Sequence, residues 1–151
     1  MSMIRWSFSI VFLYFLPFLT EAQRLPDDAY MKGLAFYRME NADSSIYYFS
    51  SSLEENKKNE DALYYRGRSY LKKGENKEAL QDFLACEELE KGKAAFEIAG
   101  IFASSGNLDD ALVYLDINLN SNYKRSEKEV FMNENFLAWE EDSRWRKFWS
   151  N

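Results

Sequence analysis

Small and aromatic side chains keep fixed distances along the middle of the chain. In GRSYLKKGENKEALQDF, residues 67–83, Gly67, Tyr70, Gly74, Ala79 and Phe83 follow one another at intervals of three, four, five and four. Positions three and four apart are neighbours on a helical surface, so Gly67 with Tyr70 and Ala79 with Phe83 each mark one face of a helix. Gly74 lies between them as a turn, and the stretch predicts a helical hairpin. Moved back by 34 residues, the pattern meets Gly33, Phe36, Ser45 and Phe49; moved forward by 32, it meets Ala99, Phe102, Gly106, Ala111 and Leu115. Three consecutive hairpins are predicted.

Each unit then has a helix A and a helix B. Gly33, Gly67 and Ala99 let helix A approach helix B where a larger side chain would clash, and Ser45, Ala79 and Ala111 are the small counterparts on helix B. Phe36, Tyr70 and Phe102 share the face of the small residue and lie beside Phe49, Phe83 and Leu115. Gly74 and Gly106 are expected to close helix A in a left-handed cap, with Asn76 or Asn107 capping the helix that follows. Stacked hairpins share one continuous core, and the ends of such an array need covering. Residues 124–151 are suited to cover one end. Ser126 and Glu129 form a capping box that opens a helix. Phe131, Phe136, Leu137, Trp139, Trp145, Phe148 and Trp149 supply apolar surface for a lid over the third hairpin. The same aromatics also read as a patch that anchors a partner.

The series Leu63, Gly67, Tyr70, Ala79 and Phe83, at a period of 34, resembles the tetratricopeptide repeat, whose pattern runs Trp-x2-Leu-Gly-x2-Tyr, then Ala-x3-Phe, then Pro. Arg66 stands where that family prefers leucine, Glu40 replaces the turn glycine of the first unit, and the closing proline is absent from all three. FLAWEEDSRWRKFW is similar to the closing segment of many bacterial proteins of this family. The resemblance implies an all-α, right-handed solenoid of antiparallel helix hairpins, with about three repeats at 26–59, 60–91 and 92–123 and a helical cap over 124–151. A repeat phase shifted by one helix is also open. The resemblance further implies that helix A lines a concave side, and it places a candidate ligand groove on Tyr30, Leu34, Tyr37 and Arg38, then Tyr64, Arg68 and Lys72, then Lys93 and Phe96. Tyrosines beside arginines and lysines are typical of binding hot spots, although tyrosine at these places also suits filling between helices. The lysine and asparagine constellation with which chaperone-binding members hold a C-terminal carboxylate is not reproduced, because Tyr30 and Leu34 occupy its first two places. The function implied is a non-enzymatic scaffold that binds a peptide or protein segment in the groove. The alternative is a structural or assembly subunit of an envelope complex, docking through its aromatic C-terminal segment.

Composition narrows this picture. With 151 residues, 46% hydrophobic and only two prolines, the chain suits one folded domain. At a net charge of −6, with no run of basic residues, a nucleic-acid partner is not expected. The first 22 residues read as a signal peptide: Arg5, an apolar run from Trp6 to Leu19, then Thr20 and Ala22 at a cleavage site before Gln23. The apolar run is short for a bilayer span, so no stable membrane insertion is expected after cleavage, and the mature chain, residues 23–151, is expected to be periplasmic or secreted. Cys86 is the only cysteine, which leaves none for lipidation at the cleavage site and none for an internal disulfide; packing is its expected role.

No histidine is present, which removes the commonest general base and most zinc sites. The neighbouring carboxylates Glu54 and Glu55, Glu87 and Glu88, Asp109 and Asp110, and Glu140 to Asp142 do not match a calcium loop and are read as solvated surface charge. No catalytic, metal or cofactor-binding residue is expected, and neither the oligomeric state nor the partner follows from the sequence.

Overall fold

The computed structural model describes residues 27–150; the expected signal peptide, residues 1–22, and residues 23–26 lie outside that range. Among the described residues there are nine helices and no strand: α1 Asp28–Arg38, α2 Ala42–Glu55, α3 Glu60–Lys73, α4 Asn76–Leu89, α5 Ala95–Ser104, α6 Leu108–Leu119, α7 Glu127–Phe131, α8 Glu134–Leu137 and α9 Ser143–Trp149. The first six pair as hairpins, α1 with α2, α3 with α4 and α5 with α6; α2 packs on α3, α4 on α5, and α8 on α5.

Short polar side chains start most of these helices by satisfying a backbone N–H that has no partner in the first turn. Asp27, Asn41, Asn59 and Asn107 accept from the N–H of Tyr30, Ser44, Ala62 and Asp110. At α4 the expected cap is displaced: Asn76 is the first residue inside the helix, and Glu75 precedes it without a side-chain capping bond. The start of α5 is held from elsewhere in the chain. Glu87, on α4, accepts from Gly92 N–H at 2.7 Å and from Ala94 N–H at 2.6 Å. It is half-buried and ties down the α4–α5 loop, so the reading of Glu87 as solvated surface charge is corrected.

The three helix A to helix B turns have one geometry. Gly74 and Gly106 adopt φ of 78° and 86°, and Glu40 takes the same left-handed region at φ 59°. The residue after each donates back to the aromatic signature position: Asn41 N–H to Phe36 O, Glu75 N–H to Tyr70 O and Asn107 N–H to Phe102 O, at 2.9 to 3.0 Å. That bond is the long closure of a Schellman cap. A glutamate in this conformation costs about 1–2 kcal/mol relative to glycine.

Close approach explains the other glycines of the pattern. A Cβ on Gly33 would stand 2.6 Å from the Phe49 ring, and one on Gly67 2.7 Å from the Phe83 ring. In the third unit both partners change together: Ala99 and the smaller Leu115 are fully buried in one cluster. Ser45, Ala79 and Ala111 are all buried, and the Ser45 hydroxyl lies 2.8 Å from that of Ser69, linking the first hairpin to the second.

Arg66, where the repeat pattern prefers leucine, makes a paired bond to Asp82 of α4: Nε to Oδ2 at 2.7 Å and Nη2 to Oδ1 at 2.6 Å. Asp82 is buried, so a charge-assisted fork takes the place of an apolar contact inside the second hairpin.

Two buried clusters share this stack. One runs through Phe49, Leu63, Phe83, Cys86 and Ile98; the other joins Ala99, Leu108 and Leu115 to Val130, Phe136 and Trp145 of the C-terminal segment. Phe136 stacks on Trp145 at 5.5 Å, and the Trp139 indole donates to Ala103 O at 3.2 Å. The short helices α7 to α9 therefore lie against the third hairpin where a further repeat would otherwise pack.

Candidate functional site

The helix A series, α1, α3 and α5, places polar and aromatic residues side by side across the stack. Tyr64 donates its hydroxyl proton to Glu97 Oε1 at 2.7 Å, and Lys93 pairs with Asp61 at 2.5 Å and Glu60 at 3.4 Å. Lys72 lies 4.7 Å from the centre of the Tyr37 ring and 3.5 Å from Glu40. The Arg68 guanidinium sits over both Tyr37, at 5.8 Å, and Tyr64, at 5.9 Å. Cations over aromatic faces are held in orientation by the ring quadrupole. Burial, followed by the nearby Glu97 charge, raises the Tyr64 phenol above its ordinary range, so it stays a hydrogen-bond donor throughout the physiological range.

The C-terminal segment forms part of the same surface. Arg125 stands 5.3 Å above the Phe96 ring and 3.5 Å from Glu97. Asn118, buried on α6, fixes the segment that carries it: Nδ2 donates to Tyr123 O at 3.1 Å, and Oδ1 accepts from Arg125 N–H at 2.9 Å. Two cavities meet at the Glu97–Arg125 pair. One, of about 420 Å³, is lined by Asp61, Tyr64, Lys93, Asn118 and Tyr123 among others. The second, of about 480 Å³, is lined by Arg68, Phe96, Gly100, Ser104, Asn133 and Asn135 among others. A side chain at Gly100 would meet the Asn135 amide at 3.0 Å, so this glycine lets the C-terminal segment come close to α5.

The nine candidate groove residues divide. Tyr64, Arg68, Lys93 and Phe96 line the two cavities, and Lys72 lies over the Tyr37 ring without lining either. Tyr37 and Tyr64 share Arg68, and both also rest on the first buried cluster, where Tyr64 leans on Phe83 at 5.9 Å. Tyr30 and Leu34 pack on that cluster as well; the Tyr30 ring meets Phe49 at 5.8 Å, and burial, helped by the Asp61 charge, pushes its phenol up to about 12. Arg38 is exposed at the end of α1, and no contact among the described residues ties it to the cavities.

Glu97, Arg125 and Asn118 join this surface without belonging to the candidate groove set. The sequence does carry a signal for Glu97: in a stack, lateral neighbours on successive A helices are one repeat apart, and Tyr64 with Glu97 and Glu60 with Lys93 are each separated by 33 residues. Arg125 and Asn118 reach the surface through a loop and a buried amide, which no periodicity marks.

Cys86 is buried, and burial pushes its thiol up to about 12, which suits packing and not nucleophilic chemistry. Among the described residues no group of three or more carboxylates or thiols is placed to hold a metal ion. No helix among them is long and apolar enough to cross a membrane.

No family model and no curated protein matches the chain. Among solved structures the chain is similar to MamA AMB-1 in its P212121 crystal form, with a TM-score of 0.59 at 20% identity. The fold is tetratricopeptide-like. The match covers 76% of this chain and 64% of the MamA chain, so this chain spans less than two thirds of that structure. At this identity the likeness concerns the arrangement of helices and carries no activity or partner across.

Proposed function

We propose that this protein is a non-enzymatic interaction scaffold that holds an extended peptide or protein segment along the surface formed by α3, α5 and residues 121–135. The observation that carries this reading is the pair of cavities meeting at Glu97 and Arg125, walled by side chains that pack only in part against the core. Rigid aromatic faces with cations already oriented on them offer contact area at small entropic cost. The two hydrogen-bonding carboxamides Asn133 and Asn135 suit a backbone laid alongside them.

A second reading has its own support. Phe131, Met132 and Leu137 are exposed, and the buried Trp149 indole N–H has no hydrogen-bond partner among the described residues. A cavity of about 390 Å³ next to Phe131, Trp145 and Trp149 would let the C-terminal segment dock into a larger assembly. Affinity capture with three baits separates the two readings: the wild type, Arg68→Ala with Phe96→Ala, and Met132→Ser with Leu137→Ser. Loss of the captured protein with the first variant alone supports the groove. Loss with the second alone supports C-terminal docking.

The same proposal places the protein outside the cytoplasm, in a periplasm or secreted. The support is the order of Arg5, the apolar run from Trp6 to Leu19 and the small residues at Thr20 and Ala22. N-terminal sequencing of the mature protein is expected to begin at Gln23; an intact Met1 in the membrane fraction would replace export in soluble form with anchoring.

A further inference from the structure

We infer that the groove selects an acidic segment, and that a side-chain carboxylate of that segment docks on Arg68 and Lys72 between the rings of Tyr37 and Tyr64. This inference rests on the groove reading and specifies its ligand.

The cations of this surface are not equivalent. Lys93 is satisfied by both Asp61 and Glu60, and Arg125 is engaged by Glu97 and by Glu129 at 3.5 Å. Arg68 differs: it is half-buried, and it forms no ion pair with a carboxylate among the described residues. Among the described residues Lys72 pairs with Glu40 alone, at 3.5 Å, whose side chain is 84% exposed and easily displaced. Exposed pairs of this kind contribute little and give way to a better-placed anion.

The carboxylates of the surface are, by contrast, already in use. Glu97 accepts from the Tyr64 hydroxyl and faces Arg125, and Asp61 and Glu60 face Lys93. A basic ligand would have to compete with these internal cations. An acidic one finds Arg68 with its guanidinium held over two rings and hydrogen-bonded to the Tyr64 hydroxyl, near Glu97 but in no ion pair with it, so donors remain for the carboxylate of an Asp or Glu side chain.

No feature of the subsite calls for a chain terminus. Tyr37, Arg68 and Lys72 lie on two stacked helices with the larger cavity continuing beyond Arg68 toward Asn133 and Asn135, so a segment can pass through.

The test uses the mature chain and four pools of capped eight-residue peptides, measured by fluorescence anisotropy. Three pools carry Glu, Lys or Gln at alternate positions with a C-terminal amide; the fourth is the Glu pool with a free C-terminus. The amidated Glu pool should bind best, within about twofold of its free-terminus counterpart, and should weaken severalfold as salt rises from about 50 to about 300 mM. Arg68→Gln should weaken it about tenfold or more at unchanged melting temperature. Should Arg68→Gln disturb folding, Lys72→Glu at the exposed neighbour should reduce the same binding by a comparable factor. Equal or better binding of the Lys or Gln pool, with loss on Phe96→Ala, overturns the acidic selectivity and leaves the groove. Binding confined to the free-terminus pool overturns the side-chain site in favour of a terminal carboxylate. Binding of no pool overturns both the acidic selectivity and the groove.

Discussion

Gly67 and Arg66 are neighbours that illustrate two kinds of constraint. Gly67 is fixed by contact with Phe83: with 2.7 Å from its would-be Cβ to the ring, Gly67→Leu must push α3 and α4 apart. The expected loss is about 1–3 kcal/mol or more, read from thermal or denaturant unfolding, while Gln81→Leu on the exposed side of α4 should change little. Arg66 is fixed by charge. Arg66→Leu, the residue the repeat pattern prefers, leaves Asp82 buried without its fork and should cost about 3–5 kcal/mol, whereas Arg66→Leu combined with Asp82→Leu should recover most of the loss. Recovery in the double variant identifies the unpaired carboxylate, not lost packing, as the source of the defect. The glycine was legible in the sequence because its consequence, an aromatic sixteen residues on, repeats in the first hairpin as well. Arg66 and Asp82 have the same sixteen-residue separation, but the charged pair occurs in the second hairpin alone, so the arginine showed only as a departure from the repeat.

Helix starts and turns follow local chemistry, and most were readable for that reason. Gly74 and Gly106 have the left-handed conformation that their position predicts, and Glu40 accepts the same conformation in the first hairpin because the surrounding turn is identical. Glu40→Gly should accordingly stabilise the first hairpin by about 1 kcal/mol, a gain measurable in chemical denaturation. The start of α5 was not readable, because no side chain caps it; Glu87 from the preceding helix instead fixes the N–H groups of Gly92 and Ala94 just ahead of it.

Carboxylates help to start two of the three C-terminal helices, Glu129 in the capping box of α7 and Asp142 as the N-cap of α9. Asp142 accepts from the Arg144 side chain and N–H, which hold its carboxyl down at about 2, and hydrogen bonds from the Ser126 N–H and hydroxyl lower that of Glu129. A carboxyl lowered on folding adds stability above its unfolded value near 4, and that contribution is lost as pH falls through the folded value. Tryptophan fluorescence should therefore report loosening of α7 to α9 between about pH 4 and pH 2, and Asp142→Asn should reduce that acid sensitivity.

Across the whole molecule, three hairpins and a covering segment share two clusters, and the cover is an active part of the architecture. Trp145 is 3% exposed and joins Val130 and Phe136 to the third hairpin, so Trp145→Ala should lower stability by about 3–5 kcal/mol and should loosen α5 and α6 before α1 to α4 in hydrogen exchange. The repeat order was legible because small and aromatic residues recur with it. The joint between cover and groove was not, because Asn118 and Arg125 act through a single loop that occurs once. That joint bears on function: it brings Arg125 over Phe96 and Asn135 against Gly100, so the surface proposed to hold a ligand is built from both parts. Hydrogen–deuterium exchange on the mature chain, alone and with its captured partner, locates the contact. Protection concentrated in α3, α5 and residues 121–135 is the predicted result; protection confined to α7 and α9, with α3 and α5 unchanged, would contradict the groove.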